Sequence, residues 1–548
     1  IAEFNLIAGR RAKASTAYSS ALKYLTAGRA LLMADSWTQC YELSFALEIL
    51  RAECEFLTGD LAAAEERMAM LSTRAGNLVD SATVAGLRVN LFTTLDRSDR
   101  SIEVTLEYLQ RLGIDWSAHP FKEDVIEEFR RIWQQLGSES IEKLSELPAM
   151  SDPGWRATMD VLTTALNPAM FTDQNLLGLM VGRMVNLSLE HGNSDGSPIG
   201  YAFLGMFLGP YFGDYPAGAR FAQLAIDLVE KQGFDRFKAR VYLHVAGVVN
   251  PWMRHFNTST GLIRRAFAVA NETGDLGYAS YSCNHLITNL LAIGAPLGEV
   301  QREAEIGLDF VRKAQFGLVT AILIGQIRLI RSLRRLQPVS SFNNEEFDEE
   351  QFERNLAEDP RLAIAECWYW IRKLQERYFA GDYASAIQAG SNAERLLWTS
   401  PSHIELAEYH FYDALARSAL CDTMNAADEQ APHLAAMTNH HKQLAEWAEH
   451  CPQNFANRAS LVAAEIARIE DKVLDAQGLY EKAIRSARES GFVHNEGIAN
   501  ELAAKVYLER GFETIARAYQ REAGYCYDRW GAQGKVRQLE QRYSQLRD

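Results

Sequence analysis

What the chain has little of narrows its chemistry first. Its seven cysteines (Cys40, Cys54, Cys283, Cys367, Cys421, Cys451 and Cys526) lie scattered over 548 residues with no C-x-x-C pair. Neither a zinc ribbon nor a disulfide framework is indicated, and a reducing, cytoplasmic setting is expected. No apolar run approaches the roughly 18 to 20 residues that cross a bilayer; the longest, near Leu318 to Ile327, is interrupted by Thr320 and Gly325. No signal peptide precedes the first helical pattern, and no membrane insertion is expected. Cations are outnumbered, with 56 Lys and Arg against 71 Asp and Glu for a formal charge of −15. That balance argues against a nucleic-acid partner, whose affinity rests on clustered Lys and Arg. Because the chain opens at Ile1 inside a helical pattern, it is expected to be a piece of a longer polypeptide.

Catalytic signatures are missing too. No G-x-x-x-x-G-K-[ST] loop occurs, and the nearest approach, GAQGK at Gly531 to Lys535, has the wrong spacing. His440, His441 and His450 in NHHKQLAEWAEH form no H-E-x-x-H; a solvated helix is expected there. GNSDG at Gly192 to Gly196 does match G-x-S-x-G, which raises a remote serine-hydrolase hypothesis with Ser194 as nucleophile. That elbow needs a strand before it. The preceding LMVGRMVNLSLEH instead places Met180, Val181, Met184, Val185 and Leu187 on one side of a 3.6-residue period, so a helix ending at a glycine is expected. Asn193 and Asp195 leave the calcium-loop ligand series incomplete. No catalytic residue, cofactor or metal site is expected in this segment.

What is present is a repeat. Gly192, Gly233, Gly274 and Gln315 stand 41 residues apart, each between two amphipathic stretches. Toward the C-terminus Gly491 and Gly531 are 40 apart, as are Asp471 and Gly511, Ala476 and Ala516, and Ala483 and Ala523. Glycine recurs because helices commonly end on a left-handed residue. Second turns are expected at Gly213-Asp214, Gly294 and Gly511, and related ones at Gly59-Asp60 and Gly381-Asp382. Each unit is then a hairpin of two helices of about 17 residues, roughly 25 Å long, with too little apolar surface to stand alone, so neighbours must stack. Ala476, Tyr480 and Ala483, and again Ala516, Tyr519 and Ala523, have the small-aromatic-small spacing of tetratricopeptide second helices, although the period exceeds 34.

The expected fold is all-α, a right-handed superhelix of stacked antiparallel hairpins with a period of about 40 to 41. Along the chain this gives N-terminal repeats over 1–114 and a less regular segment over 115–170, punctuated by Pro120, Pro148, Pro153 and Pro168. The clearest 41-residue register covers 171–336, an acidic insert or linker 337–360, and C-terminal repeats 361–548. Arg328, Arg331, Arg334 and Arg335 are expected to pair with the acidic insert.

Equal phase in a solenoid places side chains along one face. His244 and His285 share a phase, with Gln326 next, and Tyr201 and Tyr242 form a similar pair. Around them the sequence places Asn250, Trp252, Asn284, Asn289, Trp368, Trp370 and Arg372, aromatic, amide and Arg side chains of the kinds that recognition surfaces favour. These twelve residues are the candidate ligand or partner surface; plain packing of helix against helix is the competing explanation.

Several stretches resemble a known family. ASTAYSSALKYLTAGRALL, YELSFALEILRAECEFLTGDLAAAEE, WYWIRKLQERYFAGDYASAI and YEKAIRSARESGFVHNEGIANELAAKVYLERG, with the closing YCYDRWGAQGKVRQLE, are similar to the helical-repeat region of bacterial multidomain signalling proteins. In that family the resemblance implies a serine/threonine-kinase-like domain, a STAND-type P-loop ATPase, these repeats, a GAF domain and a histidine kinase. It implies a non-catalytic sensor or scaffold arm whose partners are neighbouring domains of the parent polypeptide, together with a protein partner or small-molecule inducer bound on the concave face. A passive structural or oligomerisation arm is the alternative.

Overall fold

The structure, a computed structural model, describes residues 1–95, 97–335, 342, 347–424 and 426–543. Among the described residues it is helical, with no strand and one isolated parallel bridge between Ala149 and Asn193. The chain divides into two compact units, one of Ile1–Leu204 with Asp227–Phe237, the other of Gly205–Ile226 with Lys238–Asp548.

The first unit holds α1 (Ala2–Ala14), α2 (Tyr18–Ala30), α3 (Ser36–Gln39), α4 (Tyr41–Leu57), α5 (Leu61–Arg74), α6 (Leu78–Thr94), α7 (Ser98–Gln110), α8 (Lys122–Leu136), α9 (Pro153–Met170) and α10 (Gln174–His191). Helices α11 (Ser197–Phe212) and α12 (Tyr215–Lys231) contribute residues to both units. The second unit continues with α13 (Lys238–His244), α14 (Asn257–Thr273), α15 (Leu276–Ala292), α16 (Leu297–Lys313), α17 (Gly317–Arg335), α18 (Glu349–Glu358), α19 (Ala363–Ala380) and α20 (Tyr383–Glu394). It closes with α21 (Ile404–Cys421), α22 (Ala427–His450), α23 (Pro452–Ile469), α24 (Val473–Glu489), α25 (Val493–Glu509), α26 (Glu513–Trp530) and α27 (Gln533–Arg542).

The repeat period is a backbone event. Gly192, Gly233, Gly274 and Gln315 all take positive φ, 94°, 80°, 75° and 56°, and so do Asp471, Gly491, Gly511 and Gly531. Where glycine is followed by aspartate, two adjacent residues end one helix and begin the next. Gly59, Gly274 and Gly381 turn left-handed, and Asp60, Asp275 and Asp382 then accept the backbone N–H of Ala63, Tyr278 and Ser385 as N-caps. Such a turn reverses the chain within a few residues, so the helices it joins, α4 with α5, α14 with α15 and α19 with α20, pack on one another. Small side chains at the seams, Ala64, Ala386 and Ala389, are fully buried and let the axes approach. The Tyr480 position of one repeat is occupied 40 residues on by buried Gln520, while Tyr519 stacks instead on Tyr507 at 5.4 Å.

In the segment 115–170, Pro153 opens α9 at a first-turn position, where its missing N–H costs nothing. Of the acidic segment 337–360, residues 337–341 and 343–346 lie outside the described residues, and Glu349–Glu358 is helix α18. Of the arginine strip, Arg331 and Arg334 reach back to Glu305 and Gln301 on α16, and Arg328 lies 4.0 Å over the ring of Phe347 in the acidic segment; pairing with Glu345 and Glu346 lies outside the described residues. Arg331 and Arg334 stand about one turn of helix apart, which sets both toward the neighbouring α16.

In the second unit early helices meet late ones. Helix α17 packs against α27 and α15 against α21, and Gln538 donates to Ala380 O at 3.1 Å. One apolar core runs from Tyr215 to Leu539.

Candidate functional site

The segment joining α13 to α14 is the most elaborately held stretch of the second unit. Helix α13 loosens after His244 into a π-turn over Val245–Val249, then a 3-10 turn over Asn250–Trp252 in which Pro251 takes a first-turn position. The chain from Pro251 to Phe256 therefore has backbone groups that no helical ladder satisfies. Amide side chains from elsewhere supply them. Asn454 on α23 donates to Pro251 O (2.7 Å) and Arg254 O (2.8 Å) and accepts from Phe256 N (3.0 Å). Asn289 on α15 donates to Phe256 O at 3.0 Å and is itself oriented by Thr260.

Side chains complete the strap. The Trp252 indole N–H is shared between Val248 O (3.0 Å) and Ser402 O (3.1 Å), and its ring stacks at 5.6 Å and 7° on Phe455 beside Trp447. Phe256 meets Phe455 edge-on at 5.7 Å and Phe492 at 5.9 Å. His255 stacks on Phe492, and its Nδ1 accepts from Asn257 N, which leaves Nε2–H to donate to Ser490 O at 2.9 Å. Burying two such aromatic rings contributes on the order of 2 to 3 kcal/mol each.

Behind the strap runs a buried polar chain across α15, α17, α19, α21 and α23. Gln326 donates to Thr288, which donates to Glu405; Arg372 bonds Glu405 at 2.8 Å and Gln375 at 2.9 Å. Gln375 then donates to Glu408 at 2.7 Å, and Arg458 bonds Glu408 at 2.8 Å and Asn454 O at 2.8 Å. The Arg458 guanidinium is fully buried among the rings of Phe256, Phe411 and Phe492. Burial pushes the Glu405 carboxyl up against the opposing pull of Arg372.

Of the twelve candidate residues, all but His285 and Trp370 are buried. Asn250, Trp252 and Asn289 belong to the strap and its clamp; Gln326 and Arg372 belong to the polar chain. Asn284 lends its carbonyl to Gln326. His285 packs against Trp368 and against His403, with ring centroids 6.0 and 5.8 Å away, and Trp368 donates to Ser400 at 2.8 Å. Desolvation lowers buried His244 to about 3 and the ring of half-buried His285, enclosed by Trp368 and His403, to about 4, and drives His403 well below the usual imidazole value, so these rings are neutral. Trp370 lies apart from the strap, bonded to Glu366 and covered by Lys373. Tyr242 accepts from Arg265 at 2.6 Å. Tyr201, in the first unit, donates to Asn193 at 2.9 Å.

Two other expectations meet the structure here. Ser194 follows a helix that ends at Gly192, and its hydroxyl lies 3.5 Å from Ser197 Oγ. The GNSDG turn is a staple: Asn193 N donates to Pro148 O, Met150 N donates to Asn193 O, and the Asn193 amide donates to Leu144 O. The solvated helix expected around His440 is corrected. His440 is buried, with Nε2 2.8 Å from Asp413 and Nδ1 2.9 Å from His410 Nδ1, and His450 packs against Tyr215, tilted by 37° with ring centroids 4.5 Å apart. The carboxylate that makes burial tolerable sits on α21, out of reach of any pattern within α22.

Sequence reasoning missed Asn454, Ser402, Phe455, Phe492 and Phe256. One signal could have found the first: Asn454 and Asn495 stand 41 apart, and Asn495 is likewise buried, donating to Asn457 at 2.8 Å.

No protein-family model matches the chain. It is similar to hybrid signal transduction histidine kinase G of Dictyostelium discoideum, at 22% identity over 678 aligned positions that take in the whole of this chain and 20% of that protein. The chain thus spans about a fifth of the length of that curated relative. Similarity of this extent, joined to helical hairpins repeated through both units, relates the chain to a signal-transduction histidine kinase and fits a signalling-module role.

Proposed function

We propose that this chain is a non-catalytic sensor or scaffold module of a larger signal-transduction kinase, one that binds a protein partner or small-molecule inducer and relays the event to attached domains. The observation that carries the proposal is similarity along the whole chain to one fifth of a hybrid histidine kinase. The resemblance to the repeats of STAND ATPase and serine/threonine-kinase signalling proteins supports a place between such an ATPase module and a histidine kinase, in the cytoplasm. Relay needs two dispositions of the array and a ligand that prefers one of them; about 1.4 kcal/mol of preference shifts their ratio tenfold.

A passive arm is the second proposal, favoured by the burial of Tyr201, Tyr242, Asn284, Gln326, Trp368 and Arg372, for which packing alone is sufficient. Thermal-shift screening of the purified chain against metabolites and peptides separates the two. A ligand present at a hundred times its Kd stabilises a binding module by about 2.7 kcal/mol. A passive arm yields no shift, and an inert helical array of equal length substitutes for it in the parent kinase without effect on signalling.

A further inference from the structure

We infer that residues 251–256 are an intramolecular pseudo-ligand, and that the slot they fill takes from a partner a peptide of the same chemistry, a non-helical turn presenting two aromatic side chains four residues apart. The inference rests on the binding-module proposal and names its site.

Three observations carry it. First, the strap is held as a bound peptide is held: Asn289, on nearby α15, and Asn454, on a helix distant in sequence, satisfy one N–H and three carbonyls of its backbone. Contacts to backbone are indifferent to sequence and set only register. Second, selectivity sits in two aromatic subsites. Phe455 is common to both, with Trp447 beside Trp252 and Phe492 beside Phe256. This division, main chain for affinity and pockets for side-chain identity, is the general economy of peptide recognition. Third, the strap follows a π-turn, an irregularity that lets a helix end be re-aimed. Release of the strap exposes Asn454, which is otherwise a buried amide requiring partners, and Arg458, whose guanidinium is covered by Phe256. An emptied slot therefore has reason to accept a replacement of matching shape.

The test uses the whole chain carrying Trp252→Ala and Phe256→Ala, with a fluorescent peptide of residues 248–259, VVNPWMRHFNTS, as probe. The variant, whose strap keeps its main-chain bonds but has lost the rings that fill both aromatic subsites, is expected to bind the peptide with micromolar Kd and the wild type at least about tenfold more weakly, because the intact strap competes better. Adding Asn454→Ala is expected to weaken the peptide about tenfold or more, and a peptide with alanine at both aromatic positions is expected not to bind. A folded variant, judged by its helical circular dichroism, that holds the peptide no better than the wild type overturns the inference, as does binding indifferent to Asn454→Ala. Should the variant fail to fold, hydrogen exchange of the wild type decides: the Phe256 amide is expected to exchange through an opening smaller than global unfolding, and exchange only through global unfolding overturns it. Absence of peptide binding beside a positive ligand screen leaves the binding-module proposal standing without this site.

Discussion

Two glycines in equivalent turns illustrate how one residue type meets different demands. A Cβ at Gly192 would lie 2.2 Å from Pro148 O, whereas Gly233, also at positive φ, has open space around it. Gly233→Ala should cost only the left-handed strain, about 1 to 2 kcal/mol. Gly192→Ala adds a backbone clash that breaks the Asn193 staple, and denaturant melts should place it at least about 2 kcal/mol below Gly233→Ala. The neutral histidines make a second residue-scale expectation. Folded-state values for His244 and His285, about 3 and 4, lie below the unfolded imidazole, so their stabilising contribution is complete above the ordinary value of 6.5. It is lost as pH falls from there toward 4 and 3. Thermal melts should therefore soften below about pH 6.5, by up to about 1.4 kcal/mol per pH unit for buried His244, and His244→Gln should flatten that slope.

At the scale of the element, turns were legible and seams were not. A helix stop is written locally, in a glycine with an aspartate after it, which is why Gly59-Asp60, Gly274-Asp275 and Gly381-Asp382 could be placed from the sequence. Gln315 could be placed only by counting 41 from Gly274, and its positive φ bears out the count. Because a side chain strains that conformation, Gln315→Gly is expected to stabilise the chain by about 0.5 to 1 kcal/mol in chemical denaturation. The strap was half legible. Asn250, Trp252 and Asn289 stood out as residue types, but apart from Asn289 the groups that hold the strap lie about 150 to 235 positions further on. No local pattern encodes that distance. His440 shows the same limit, since its partner Asp413 is on another helix. Asn454→Ala removes three hydrogen bonds to a buried backbone and is expected to cost about 2 to 4 kcal/mol. Calorimetry showing a change under about 1 kcal/mol would mean that the clamp carries little.

For the whole molecule, the picture is of repeated helical hairpins, with a buried polar seam in the second unit that ties α15, α17, α19, α21 and α23 together. A seam of ion pairs and amides is a poor source of net stability, because desolvation offsets much of the attraction. It does give an all-or-none contact, since breaking Arg458 from Glu408 leaves buried charge uncompensated. Such a contact suits the proposed relay, in which the array holds one disposition until a ligand displaces it. The most direct measurement is autophosphorylation of the larger kinase polypeptide proposed to contain this segment, with the segment intact and with Asn454→Ala. If strap release is the relayed event, the rate changes several-fold while the variant stays folded. An unchanged rate in a folded variant whose strap amides have lost their exchange protection would contradict the account.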